Sequence, residues 1–226
     1  MINTDLPSTI STHIFQSLRQ KIIEGELQPG GALREEEIRE KHGSSRGPIR
    51  ESLRLLLQTG LVEHQPRKGF RVRHYTPKDI KQIYELRANL EAQVIGALVG
   101  RDLAQLTKLL KEICDRMNEF YAQNDRKSYF EENGRFHSEI ILFASNRILL
   151  ETMDYVNEVS LPVRYRLLDD ALPSRRSLTY HENIVELLDR GNIENAKYAT
   201  ESHILENIDR AVAAYPNGQI VSGRNK

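Results

Sequence analysis

Residues Gly43 to Val72 read GSSRGPIRESLRLLLQTGLVEHQPRKGFRV, and the division of this stretch decides the fold. Ser45 stands where an N-cap would, its side-chain oxygen placed to accept from the free N–H groups of a first helical turn. Pro48 falls inside that turn, where a missing N–H costs nothing. The pattern predicts a helix from Arg46 to Gln58, ended by Gly60 in the left-handed conformation. At about 100° per residue, Ile49, Leu53 and Leu56 share one stripe while Arg50 and Arg54 lie to its side. One face packs and its neighbour presents guanidinium groups. Beyond the helix, Leu61–His64 and Phe70–Arg73 are apolar-rich and read as extended, joined by the basic turn Gln65-Pro66-Arg67-Lys68-Gly69.

The preceding segment Leu33–His42 (LREEEIREKH) is predicted as a short helix with Leu33 and Ile38 turned inward, broken by Gly43. Helix, glycine turn, helix and basic hairpin make a winged helix-turn-helix. Arg46 then projects from the helix end that enters a DNA groove, where arginine pairs with a guanine edge or a phosphate. Arginines beside an apolar stripe are by default a solvated face. Here the local charge argues otherwise: from Ser44 to Tyr75 there are seven basic residues against two acidic ones. The whole 226-residue chain balances 32 Lys and Arg with 32 Asp and Glu, so DNA contact has to be local.

A single cysteine, Cys114, excludes an internal disulfide framework, and no apolar run approaches a membrane span. With no secretory pattern at the N-terminus, the expected location is cytoplasmic, with no membrane partner. Residues 1–10 read as a loose polar arm and Ser11–Glu24 as a helix ended by Gly25. Thr76-Pro77-Lys78-Asp79 is a strong helix start and places a domain boundary at residues 75 and 76. Residues 1–75 are thus expected to form the winged domain and 76–226 an antiparallel helical bundle, so the fold is mainly α. Bundle helices are expected near 77–100, 102–123, 125–144, 146–170 with a break or kink at Pro162, 174–190 and 192–214, with Tyr215–Lys226 frayed.

Three histidines fall on inward faces of this bundle. His137 shares a face with Ile140, Ile141 and Ala144; His181 precedes Ile184 and Val185; His203 continues the line of Ala196 and Ala199. Asn133, one turn before His137, projects alongside it. Three imidazoles and an oxygen donor suit Zn²⁺, Ni²⁺ or a similar borderline cation, whereas a lone core histidine would simply bond a carbonyl. Arg87 replaces an apolar residue in the stripe of Ile80, Ile83, Leu90 and Val94. It either pairs with Glu91 one turn on or faces a pocket to hold a carboxylate, with Arg164 and Arg166 further candidates for that task. A water-activating metalloenzyme is the rival reading of the histidines, but no His-Glu pair at catalytic spacing accompanies them.

SRGPIRESLRLLLQTGLV followed by PRKGFRV, with Gly25, Pro29 and Gly30 upstream, resembles the winged helix-turn-helix signature of the GntR family of bacterial transcription regulators. The second part resembles the all-helical FCD-type effector domain of the FadR-like branch. The resemblance implies an operator-binding homodimer that senses a small organic acid and is not an enzyme. It implies DNA contacts at Ser45, Arg46, Arg50, Arg54, Arg67, Lys68 and Gly69, and ligand contacts at Arg87 and Arg164. It implies a divalent metal on Asn133, His137, His181 and His203, where the usual first ligand is aspartate and the asparagine here removes a negative charge.

Overall fold

The computed structural model describes residues 9–170 and 175–215. Helix α1 (Ile10–Ile23) is capped by Thr9, whose side chain accepts from Thr12 N, so Ile10 belongs to the helix rather than to a loose arm. A short strand β1 (Ala32–Leu33) precedes helices α2 (Glu35–His42) and α3 (Arg46–Gln58). Strands β2 (Val62–Gln65) and β3 (Gly69–Val72) complete an antiparallel sheet of order β1-β3-β2, with Leu33 opposite Phe70 and His64 opposite Phe70 on the other side.

Leu33 thereby departs from the expected helix. A single apolar residue ahead of a run of glutamates carries no periodicity that separates strand from helix, and pairing with Phe70 decides it. Ser45 also departs from expectation: it stands at the N-cap position in extended conformation, but its side chain makes no capping bond. Gly60 behaves as predicted, with φ +78.

Ile14, Phe15, Leu18 and Ile22 of α1 pack on Ile38, Ile49, Leu53, Leu56, Leu61, Val62 and Val72 to form the N-terminal core. The amphipathic stripe of α3 is buried and its arginines are left outside.

The rest is helical: α4 (Pro77–Gly96), α5 (Ala104–Ala122), α6 (Arg126–Ala144), α7 (Arg147–Asp170), α8 (Arg175–Asp189), α9 (Ile193–Leu205) and α10 (Ile208–Ala214). Thr76 and Asp79 form a reciprocal capping box at the start of α4, with Pro77 in the first turn. Pro162 does not break α7. It removes the N–H that would bond the carbonyl of Glu158, but buried Val159 and Val163 anchor the helix on both sides of it. The expected single helix over 192–214 is instead two. Asn207 Nδ2 donates to the carbonyl of His203 at 2.8 Å, and its backbone N–H tightens to the carbonyl of Ile204. This local competition ends α9. Tyr215 is buried against Tyr75 rather than frayed, with ring centroids 5.9 Å apart; the remainder of that segment lies outside the described residues. Among the described residues, no helix is long and apolar enough to cross a membrane.

The N-terminal part rests on α7. Gly60 abuts Val159 and Tyr155, where a Cβ would come within 2.8 Å of the Val159 side chain, and Gly25 abuts Arg166.

Candidate metal centre, ligand pocket and DNA-facing surface

His137 is carried on α6, His181 on α8 and His203 on α9, and all three are buried. Their nearest ring nitrogens lie within 4.8 Å of one another. Two of the rings are oriented from behind. Glu91 of α4 accepts from His137 Nδ1 at 2.6 Å, and the carbonyl of Ser177 accepts from His181 Nδ1 at 2.7 Å. Both tautomers are thus fixed with Nε2 unprotonated, the arrangement that prepares histidines to ligate.

His137 Nε2 and His203 Nδ1 are buried without any hydrogen-bond partner among the described residues. Orphaned buried nitrogens are rare, and three imidazoles that each offer a ring nitrogen within 4.8 Å of the others fit a cation. Burial holds all three imidazoles neutral, which is the ligating form. It lowers His137 despite Glu91, lowers His181 to about 3 with His137 adding to the effect, and lowers His203 well below its ordinary value. Asn133 reaches the cluster, but its Nδ2 is the atom turned to His181 Nε2, at 3.4 Å, while its Oδ1 accepts from Arg164 Nη2 at 3.4 Å. Its oxygen therefore faces away from the histidines, and rotation of the amide would exchange the two.

Arg87 pairs with Glu91 and also faces the pocket. Its Nε lies 2.7 Å from Glu91 Oε1, and the same side chain lines the pocket. The N–H does not point along that contact, so it is an ion pair without a well-aligned hydrogen bond. Burial alone would raise the Glu91 carboxyl; Arg87, His137 and Arg164 together hold it down at about 2. Arg164 of α7 is buried, stands over the ring of Phe130 at 5.6 Å, and is lowered to about 9 by burial and then by Arg87. The pocket in front of the histidines is lined by Arg87, Asn133, His137, Arg164 and His203, and also by Tyr84, Asn207 and Arg210. Arg166 is not in it and packs at Gly25 instead.

Sequence reasoning missed Tyr84, Arg210 and the role of Glu91 toward His137. Tyr84 stands one turn before Arg87 on the same face, a signal that was readable. Arg210 depends on the break before α10, which was not.

On the DNA-facing side, Ser45, Arg46, Arg54, Arg67 and Lys68 are exposed and Gly69 is half-buried. Arg50 is exposed but paired, its Nε donating to Glu35 at 2.9 Å across the two helices of the motif. Such a surface pair contributes about 0–1 kcal/mol and yields readily to a phosphate. The wing turn is closed by Lys68 N donating to the Gln65 carbonyl, with Arg67 and Gly69 both at positive φ. Because Ser45 does not cap α3, the first-turn N–H groups of that helix stay available to an anion.

Two family models match the chain: "Bacterial regulatory proteins, gntR family" over residues 10–72 and "FCD domain" over residues 82–206. The HTH-type transcriptional regulator YdhC of Bacillus subtilis is 28% identical over 200 residues, covering 88% of this chain and 89% of the relative. The gluconate operon transcriptional repressor of the same organism is 27% identical, covering 80% and 76%. The crystal structure of a GntR transcriptional regulator from Rhodococcus sp. RHA1 superposes with a TM-score of 0.73 at 27% identity, covering 91% of this chain and 99% of that one. A winged helix-turn-helix followed by an FCD domain, matched in sequence and in fold, places this chain in the GntR family of bacterial regulatory proteins, DNA-binding transcription regulators rather than enzymes.

Proposed function

We propose that the chain is a ligand-responsive regulator in which residues 1–75 bind DNA and residues 76–226 bind an effector and dimerise. A homodimer would place two recognition helices on a pseudopalindromic operator. Arg46 and Arg50 would read bases or fix register, with Arg54 beside them. Ser45 would meet a phosphate, and Arg67, Lys68 and Gly69 would approach the minor groove. The effector is a small organic acid held by Arg87 and Arg164; the Bacillus relative named for the gluconate operon agrees with that chemical class. A divalent ion such as Zn²⁺ or Ni²⁺ would be held by His137, His181, His203 and Asn133, and when bound would supply Lewis-acid attraction for a carboxylate.

The observation that carries this reading is the double use of α7. It presents Arg164 to the pocket and packs Tyr155, Glu158 and Val159 against the N-terminal part. An acid that binds one placement of α7 more tightly than another shifts the recognition helices by that differential affinity and by no more.

The test is selection of genomic fragments by the purified protein at fixed salt, followed by titration of the recovered site with and without candidate acids. Recovery of one pseudopalindrome whose affinity an acid changes supports the reading. Sequence-indifferent binding that fades uniformly with salt overturns it.

A further inference from the structure

Within the pocket, charge is out of balance. The described lining residues include three arginines, Arg87, Arg164 and Arg210, and no carboxylate. Glu91 stands behind them, already engaged by Arg87 and His137. Among the described residues, one carboxylate stands against three guanidinium groups, of which Arg87 and Arg164 are buried and Arg210 is half-buried. Arg164 is buried, and its hydrogen-bond partner among the described residues is the neutral amide of Asn133 at a long 3.4 Å. A guanidinium never discards its proton to escape such a place, so the compensation has to come from elsewhere.

Tyr84 adds a second, independent observation. Its side chain is 1% exposed, and its hydroxyl has no hydrogen-bond partner among the described residues. Tyr84 lines the same pocket as Arg87, Arg164 and Arg210. Burial raises its pKa, so it remains a protonated donor. A buried O–H with no acceptor is costly, and an anionic oxygen is the acceptor that the surrounding charge would draw in.

We propose that this pocket takes a dianion, and that Tyr84 and Arg210 hold its second anionic group while Arg87 and Arg164 hold the first. The inference rests on the reading of this pocket as the effector site and deepens it. A monocarboxylate would meet one of these residue pairs and leave the other. Asn133 contributes no negative charge where an acid would have, and a divalent ion on the histidines would only add to the surplus. The shared chemistry is two negative charges on the oxygens of a small molecule, borne by two carboxylates or by one phosphoryl group whose oxygens both residue pairs would share.

The experiment is calorimetry on the full chain, metal-free and Zn²⁺-loaded. Acetate, propionate and butyrate are compared with malonate, succinate and glutarate, and glycerol phosphate forms a separate arm. At least one dianion should bind about tenfold or more tightly than the monocarboxylate of matching length, and the arm in which it falls identifies the source. Tyr84→Phe and Arg210→Gln should each remove most of that preference while leaving monocarboxylate binding within about twofold. Should Tyr84→Phe fail to fold, Arg210→Gln with Arg210→Lys as its charge-preserving control decides alone. Equal binding of mono- and dianions, or a preference untouched by both variants, overturns the inference and leaves the effector pocket standing. Binding of none of these anions overturns the pocket reading and the inference with it.

Discussion

Arg19 of α1 and Glu158 of α7 form a two-pronged pair, Nε to Oε1 at 2.5 Å and Nη2 to Oε2 at 2.7 Å, with the carboxylate only 5% exposed and the arginine 25%. The pair joins the N-terminal part to the helix that carries Arg164 six residues later. Arg19→Ala leaves a buried carboxylate without its cation and should cost about 1–3 kcal/mol, discounted for the partial exposure of the arginine. Paired DNA titrations with and without effector should show less coupling in the variant than in the wild type. Unchanged coupling would mean that the contacts of Gly60 with Val159 and Tyr155 and of Gly25 with Arg166 carry the connection without the pair.

The orphaned nitrogens of the histidine cluster give a metal prediction. Protein purified without chelator should hold about one divalent ion per chain, and His203→Ala should lose it. Removal of the ion with chelator should lower the melting temperature, because a ligand at about 100 times its Kd stabilises by about 2.7 kcal/mol. Asn133→Asp restores a charged oxygen donor and should bind the ion more tightly, by about tenfold. Elemental analysis and melting curves read both, and an absence of stoichiometric metal in every preparation counts against the cluster as a metal centre.

The exposed basic residues of α3 and the wing should separate by role. Arg46→Ala should cost about 1–3 kcal/mol on the selected operator and relax preference at one base position. Lys68→Ala should weaken all sequences alike and reduce the salt dependence by about one counterion. Footprints of Arg46→Ala that match the wild type would reject base reading by that residue.

The cap of α4 has a pH signature. The Thr76 hydroxyl and N–H hold Asp79 below its ordinary value of 3.8. A carboxyl depressed in the folded state stabilises above its unfolded pKa, and that contribution is lost as pH falls through the folded value. Thr76→Ala should therefore cost about 1 kcal/mol at neutral pH, with the deficit narrowing below pH 3.8. Urea melts at pH 7 and pH 3 compare the two.

Much of the fold was legible because it is encoded locally. Arg46–Gln58, the wing turn and the start of α4 follow from caps, glycines and helical periodicity, which act within a few residues. The inward faces of His137, His181 and His203 were readable for the same reason. Strand β1 was not, because Leu33 is placed by Phe70, nearly forty residues away, and two residues carry no period of their own. Nor was the missing side-chain cap at Ser45, which depends on a hydroxyl rotamer.

The sequence by itself determined the helix Arg46–Gln58, the basic hairpin and which histidines turn inward, since each rests on short-range geometry and side-chain chemistry. Only tertiary structure decided that Glu91 serves both Arg87 and His137, that Arg210 joins Tyr84 in the pocket, and that Arg19 meets Glu158. Those are contacts between helices, set by how the bundle packs and where Asn207 divides α9 from α10. No periodicity within one segment records which residue of another helix will stand opposite.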